Sequence, residues 1–417
     1  MGAGKQTLLR SFLWLGSASA FARLVDLAAI AVVIGVVNPS QVGEAALAWT
    51  VITLCEPFAG AGVQWALLTV QKLDRRGLDS AFWLSLAGGV VTAGLVAALS
   101  PLFAWVAHAP AVTPLVAVGA IKLLPVALAS LPQQRLARVL RHREIASASA
   151  AATLLAALVR VVLALRGAGA WSFVIAHTAY SVFLLIGLWM FAPLHVQLRV
   201  DRRWVRELWR AGMPSTLSQA LVQWARNIDY LFVGAFLGMA PLGLYRVAFD
   251  LAMEPVVATG DVVARSATPT LRKLARSQDR LRSAFDYAMK LTLALALPLA
   301  AATFLFAPRL LELARDSAFT EASSATRWLV IAAVLRVLFG LYTPLAVAVG
   351  RPKLALRASL ELFALLTVAL LLCVWKLGSS LSIASAGVAW CAAVALALVI
   401  TRIRFRSVLE PLPAPAG

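Results

Sequence analysis

The sequence predicts an all-α integral membrane protein of about twelve transmembrane helices, arranged as two parallel-repeat six-helix lobes around a central cavity. Three observations carry that prediction. Of the 417 residues, 61% are hydrophobic and only 14% charged, with a mean hydropathy of +0.85; a soluble domain is nearer 45–50% apolar and about 25% charged. The apolar residues fall in long runs without period-2 alternation, which favours helices over barrel strands. A pattern of intramembrane charges also occurs twice. Arg23 and Asp26 precede Glu56-Pro57 and Gly62, and Arg226 and Asp229 precede Glu254-Pro255 and Gly260 in the same order.

The spans follow one another along the chain. Residues 1–22 have a basic start, an apolar stretch and small residues, as a signal peptide does. The apolar run continues through Arg23 and Asp26 to Val37, too long for a signal core, so it reads as an uncleaved first span, 11–37. The next five are expected at 43–70, 80–107, 111–132, 145–165 and 170–192. After a basic segment, six more are expected at 213–238, 241–264, 285–308, 327–349, 353–376 and 383–403. Each is long enough to cross a hydrocarbon core of about 30 Å. The expected organisation is an N-terminal lobe (1–192), a basic cytoplasmic linker (193–210), a C-terminal lobe (211–404) and a short cytoplasmic tail (405–417).

Loop charges give the orientation. With the N-terminus inside, the internal loops hold Lys72, Arg75 and Arg76, then Arg135, Arg138, Arg141 and Arg143. They continue with the arginines of the 193–210 segment, then those between Arg265 and Lys290, then Arg351, Lys353 and Arg357, and end with Arg402, Arg404 and Arg406. The opposite side keeps only Arg166, Arg309, Arg315, Arg327 and Lys376. By the positive-inside rule both termini are cytoplasmic. The same clustering accounts for the net charge of +19: basic loops that face anionic lipid headgroups need no nucleic acid.

Charges inside the spans cost about 2.5–3.5 kcal/mol each at a helix centre on insertion scales, so they should face protein or water. The cations are Arg23, Lys122, Arg160, Arg226, Arg246 and Arg336; the acids are Asp26, Glu56, Asp229, Asp250, Glu254, Asp261 and Glu361. Arg246, Asp250 and Glu254 are four apart and make one stripe on the eighth span, while Gln219, Gln223, Arg226 and Tyr230 make another on the seventh. These stripes predict a water-filled cavity lined mostly by the first, second, seventh and eighth spans. Against that reading, Arg23 with Asp26, and Arg226 with Asp229, are spaced to neutralise one another as clamps. Lys122 and Arg336 occupy equivalent places in the two halves. Arg160 is near enough to an interface to snorkel, and Glu361 is expected to pair with a neighbouring cation. His177 reads as a hydrogen-bonded core residue. Trp105, Trp171, Trp328 and Trp375 read as interfacial anchors. Cys55, Cys373 and Cys391 lie in apolar runs without metal or disulfide spacing. No phosphate loop, HExxH or Ser/His/Asp pattern appears, so no metal site, cofactor or enzyme activity is expected.

Asn227-Ile228-Asp229-Tyr230, Leu237-Gly238 and Leu242-Gly243-Leu244-Tyr245 resemble the seventh-to-eighth-helix signature of the polysaccharide-transport branch of the multidrug/oligosaccharidyl-lipid/polysaccharide exporter superfamily. Val349-Gly350-Arg351-Pro352-Lys353 and Val42-Gly43-Glu44-Ala45-Ala46-Leu47 are similar to further family patterns, and twelve spans fit the Wzx-type O-antigen flippases. That resemblance implies flipping of an undecaprenyl-pyrophosphate-linked oligosaccharide repeat unit across the bacterial inner membrane by alternating access. It makes Arg23, Arg226 and Arg246 candidates for the pyrophosphate, and Lys122 and Arg336 are further substrate-binding candidates. Gln219, Gln223, Asn227 and Tyr230 become candidates for the sugars. Asp26, Glu56, Asp229, Asp250 and Glu254 become candidates for coupling to H+ or Na+, or for lobe gating. A polysaccharide polymerase complex is the implied protein partner. A cation-coupled multidrug exporter of the same superfamily and a non-transporting assembly subunit stay open as alternatives.

Overall fold

The computed structural model describes residues 25, 28–29, 32–70, 74–139, 141–194, 196–275, 277–312 and 317–409. Arg23, Asp26 and most of the expected first span lie outside them. The chain divides into two compact units. One comprises Met1–Asn227 with Gly238–Ala240, the other Ile228–Leu237 with Pro241–Gly417.

In the N-terminal unit, helix α1 (Pro39–Ala59) starts where the Asn38 side chain accepts from Gln41 N at 3.0 Å and Pro39 supplies a preset first turn. The chain then breaks at Gly60–Gly62 before a short α2 (Val63–Thr69). Ala61 and Gly62 both have positive φ, at 47° and 80°, a conformation open to glycine at little cost. Arg138 donates to the carbonyls of Leu67 and Val70 and so closes the end of α2. Helix α3 (Arg75–Val106) is capped by Asp74, which accepts from Gly77 N at 2.6 Å. The fourth span is α4 (Val112–Gly119), a 3₁₀ turn (Ala120–Lys122) and α5 (Leu123–Arg138). Helices α6 (His142–Leu165) and α7 (Trp171–Phe191) follow, and α8 (Arg202–Phe236) enters the unit by its first turns. Residues 202–210, expected to be linker, are therefore helical.

Small residues bring these helices together, as they do where lipid removes the hydrophobic drive between helices. A Cβ on Gly119 would meet Ile52 of α1 and Val174 of α7; one on Gly88 would stand 2.9 Å from the Ala59 carbonyl. Gly212 of α8 lies so close to the Gly62 carbonyl that no side chain fits there. The segment from Pro193 to Asp201 is tied to the unit through its main chain. Trp83 Nε1 donates to Gln197 O (3.0 Å), Asp79 accepts from Gln197 N (3.1 Å), Ser80 Oγ accepts from Asp201 N (2.9 Å) and Arg135 donates to Pro193 O (3.4 Å).

The C-terminal unit contains α9 (Met239–Leu274), α10 (Gln278–Glu312), α11 (Ala322–Gly340), α12 (Tyr342–Ala348), α13 (Pro352–Leu377) and α14 (Ile383–Leu409). Helix α9 has 36 residues, about 54 Å at 1.5 Å per residue, so it outruns the bilayer core by several turns. Arg272 and Lys273 close its last turn, where cations oppose the helix dipole favourably. Tyr342 sits between the rings of Phe285 and Phe405, at 5.2 and 5.3 Å, in a core that gathers α9, α10, α12 and α14.

Among the described residues, nine helical spans are long and apolar enough to cross a membrane. Helices α8 and α9 are longer but more polar, and fall outside that count. The most apolar windows of α3 and α13 are each only 17% buried, against 61% for α1. Their outer faces, with Val91, Leu95, Leu102, Val368 and Leu371 exposed, need lipid as solvent. Trp105 and Trp375 are strongly exposed near the ends of the same helices, as interfacial anchors would be.

Candidate functional site

In the N-terminal unit three helices bring polar groups to one point. Lys122 comes from the 3₁₀ turn between α4 and α5, Glu56 from α1 one residue before Pro57, and His177 from α7. Lys122 Nζ donates to Glu56 Oε2 at 2.9 Å; the lysine side chain is 4% exposed and the glutamate 35%. The same ammonium lies 3.5 Å from the ring centroid of Trp49. His177 stacks on that ring at 3.7 Å, with 21° between the planes. Ala45, Ile52, Gly119 and Val174 line the small cavity around them. The group joins a buried cation to a carboxylate and an aromatic face, so the lysine's charge is neutralised without full burial of its partner.

Sequence reasoning singled out Lys122 and Glu56 separately and did not pair them. Trp49 was missed, although it lies seven residues before Glu56 and so on the same face of a helix. His177, read from the sequence as a core residue, is half-buried and stacks on the Trp49 indole. Arg160, expected to snorkel, is instead buried, 5.7 Å from the Phe173 ring.

On α8, within the same unit, Gln219 and Arg226 are exposed and Gln223 and Asn227 half-buried. Asn227 Nδ2 donates to Gln223 O at 2.8 Å. Trp224 Nε1 donates to Leu54 O of α1 at 3.0 Å, three residues before Pro57. This is how a neighbouring helix satisfies a carbonyl near an intramembrane proline.

The C-terminal unit has its own cluster. Asp229 is fully buried and its Oδ2 accepts from Tyr245 Oη (2.7 Å) and Trp390 Nε1 (2.9 Å). Its donors are thus two ring groups rather than Arg226, which overturns the expected Arg226–Asp229 clamp: the arginine points to the exposed side of the helix. Arg246 Nε pairs with Asp250 Oδ2 at 2.9 Å, as the i, i+4 spacing on α9 leads one to expect, and its guanidinium lies 5.3 Å from the Tyr230 ring. Tyr230 is buried in an aromatic core with Tyr245 and Phe249. Its hydroxyl has no hydrogen-bond partner among the described residues. Arg336 of α11 lies over Trp390 at 5.2 Å. Each unit therefore seats the cation of its equivalent span on an indole, Lys122 on Trp49 and Arg336 on Trp390. Glu254 is half-buried and Asp261 exposed on α9. Glu361 takes two bonds from Arg404 (2.8 and 2.7 Å) and one from Arg357 (3.1 Å), the pairing its sequence position suggested.

The duplicated proline motifs fold differently. Glu56-Pro57 leads into the break at Gly60–Gly62, whereas α9 runs unbroken through Pro255 and Gly260. A Cβ on Gly260 would stand 2.7 Å from Val337, so there the glycine serves helix packing.

Residues 33–324 match the family described as polysaccharide biosynthesis protein. The chain belongs to that family. Among its curated relatives, the succinoglycan biosynthesis transport protein ExoT of Rhizobium meliloti (strain 1021) is 26% identical over 272 residues, 63% of this chain and 53% of that protein. The teichuronic acid biosynthesis protein TuaB of Bacillus subtilis (strain 168) is 22% identical over 292 residues, 70% of this chain and 60% of that protein. The matched region thus spans between about half and three fifths of these relatives' own length. Two solved structures share the fold. The lipid II flippase MurJ, in an inward closed conformation, has a TM-score of 0.80 at 10% identity, covering 94% of this chain and 87% of that one. An inward-facing multidrug resistance MATE family transporter of the MOP superfamily has a TM-score of 0.70 at 16% identity, covering 93% and 95%. The chain thus shares with these two proteins an all-α, multi-pass membrane fold in two lobes, and its family is a polysaccharide one, as the Asn227–Tyr230 and Leu242–Tyr245 motifs indicated.

Proposed function

We propose that this protein flips an undecaprenyl-pyrophosphate-linked oligosaccharide repeat unit across the bacterial inner membrane by alternating access, for surface polysaccharide synthesis. The family match over residues 33–324 carries this reading. Support comes from relatives named for succinoglycan transport and teichuronic acid biosynthesis, and from a fold shared with a lipid flippase. In this reading the polyprenyl tail stays in lipid while the headgroup crosses inside the protein; the proposed lobes are 1–192 and 211–404, joined by 193–210. Lys122, Arg226, Arg246 and Arg336, with Arg23, are the proposed pyrophosphate contacts. Gln219, Gln223 and Asn227 are the proposed sugar contacts, and Tyr230 is reachable only if its aromatic core opens. Glu56, Asp229, Asp250 and Glu254, with Asp26, are the proposed coupling or gating groups for H+ or Na+. Both termini lie in the cytoplasm, where the basic loops meet anionic lipid and a polysaccharide polymerase complex is the proposed partner.

The test is to delete the gene, with any paralogue, and assay the membrane leaflet that holds the lipid-linked repeat unit. Accumulation in the cytoplasmic leaflet with loss of surface glycan is the expected result. Normal surface glycan would sink the reading, and loss of drug resistance alone would favour the multidrug branch.

A further inference from the structure

We propose that the cavity beside the Pro193–Asp201 crossing is a site for an aminophospholipid headgroup, which carries a primary ammonium and a phosphodiester together. The site lies outside the flippase reading and is separate from the headgroup that the protein moves. Helix α3 starts at Arg75, and Asp79, four residues on, falls on the same face. Arg135, near the end of α5, reaches the same place and donates to Pro193 O at 3.4 Å. With Leu131, Pro193 and Val196 these residues line a cavity of about 190 Å³, room for about six waters or one small headgroup. Its walls are of mixed charge. Arg75 and Arg135 are exposed, and each guanidinium has N–H donors to spare. Asp79 is 2% exposed. Its Oδ1 accepts from Gln197 N, whereas Oδ2 is buried with no hydrogen-bond partner among the described residues. A buried carboxylate oxygen that lacks a donor is costly and calls for one.

The two arginines select an anion, and the orphaned Asp79 oxygen selects a cationic donor. An ethanolamine headgroup meets both demands at once. Its ammonium brings N–H donors to the carboxylate, and its phosphodiester suits the guanidinium fork. A glycerol headgroup sets no cation against Asp79, and a choline headgroup has no N–H to donate. Two observations make the membrane, rather than a free zwitterion, the source. Helix α3 has 32 residues, about 48 Å at 1.5 Å per residue, against a hydrocarbon core of about 30 Å. Its lipid-facing residues, such as Val91 and Leu102, come later along the helix, so its basic start stands at headgroup depth. Met190 and Phe191, which end α7 just before Pro193, are 71% and 37% exposed. They offer acyl chains an apolar surface beside the cavity.

The experiment uses the full chain in a maltoside detergent, titrated calorimetrically with the dihexanoyl forms of phosphatidylethanolamine, phosphatidylcholine and phosphatidylglycerol. Wild type should bind the ethanolamine lipid about tenfold more tightly than either of the others, the worth of one charge-assisted hydrogen bond. Asp79→Asn keeps an oxygen for Gln197 N and loses the charge. It should cut affinity for the ethanolamine lipid about tenfold and leave that for the glycerol lipid undiminished. Arg75→Gln, at an exposed position, should weaken both. The wild-type ranking decides the matter without any variant, so a misfolded Asp79→Asn does not shelter the proposal. Equal or tighter binding of the glycerol lipid would mark a plain basic patch and overturn it. Equal binding of the choline lipid, or no binding of any, overturns it too. If Asp79→Asn weakens all three lipids alike, or none, Asp79 only props the crossing and the proposal falls. Free O-phosphoethanolamine titrated in parallel separates a lipid from a soluble zwitterion; equal affinity rejects the lipid. The leaflet assay on the deletion strain is a separate measurement, so failure of this site and failure of the flippase reading give different results.

Discussion

Replacing Lys122 by methionine and Glu56 by leucine, singly and together, separates the two halves of the buried pair by their cost to stability. The ammonium is 4% exposed and the carboxylate 35%. Lys122→Met keeps the stem and loses the charge. It forfeits about 1 kcal/mol of ion pair, because its partner is one-third solvated, and up to about 2 kcal/mol of contact with Trp49. In return it recovers several kcal/mol of ammonium desolvation. These nearly cancel, so the expected change is within about 1 kcal/mol of zero. Glu56→Leu does the opposite: it strands a buried cation, which costs about 3–5 kcal/mol. The double variant should return to within about 1 kcal/mol of wild type, since neither charge remains. Equilibrium unfolding in mixed micelles of rising SDS fraction measures all four proteins. Equal cost for the two single variants, or a double variant whose loss is the sum of both, would refute the exposure argument.

Four further outcomes are expected. Gly212→Ala forces α8 away from the Gly62 carbonyl and should cost about 1–3 kcal/mol. Gly94→Ala, with nothing within 4 Å of the new methyl, should be neutral or slightly stabilising in the same unfolding assay. Tyr245→Phe removes the 2.7 Å bond to the fully buried Asp229 and should lower stability by about 1–3 kcal/mol; an unchanged midpoint would mean Trp390 alone satisfies the carboxyl. For the orientation, a cysteine at Ser277 should react with a membrane-impermeant maleimide only after permeabilisation, and one at Ala168 should react in intact cells. The reverse pattern would invert the proposed topology.

The places of the apolar spans were the most legible part of this chain, although α8 starts and α9 ends about ten residues beyond the expected 213–238 and 241–264. The expected spans at 145–165, 170–192 and 353–376 match helices at His142–Leu165, Trp171–Phe191 and Pro352–Leu377. Apolar length and basic flanks set those limits, and both are local properties. What was not legible is how identical strings diverge. Glu-Pro with a glycine beyond it reads the same twice. Only the first has two glycines flanking one residue, Gly60-Ala61-Gly62, and only there does another backbone, at Gly212, press against the turn. The second run, Val256-Val257-Ala258-Thr259, has no such freedom and stays helical. Partner choice was also hidden. Spacing on one helix suggested Arg226 for Asp229, but a buried carboxylate takes the donors that other helices bring, here Tyr245 and Trp390. Trp49 was hidden because an indole in an apolar run looks like any other packing residue until its neighbours across the interface are known.

The stretch from Pro193 to Asp201 is held by Trp83, Asp79, Ser80 and Arg135 at four of its peptide groups. Recognition through the main chain is indifferent to what the crossing residues are. A protein engineer can therefore place a fluorophore on Leu198, which is 85% exposed, so long as the path, the four anchoring side chains, the Leu194 side chain packed on the core and the Asp201 carboxylate that accepts from Arg203 N are kept. Much of the information for that crossing is written in α3 and α5 rather than in the segment that crosses.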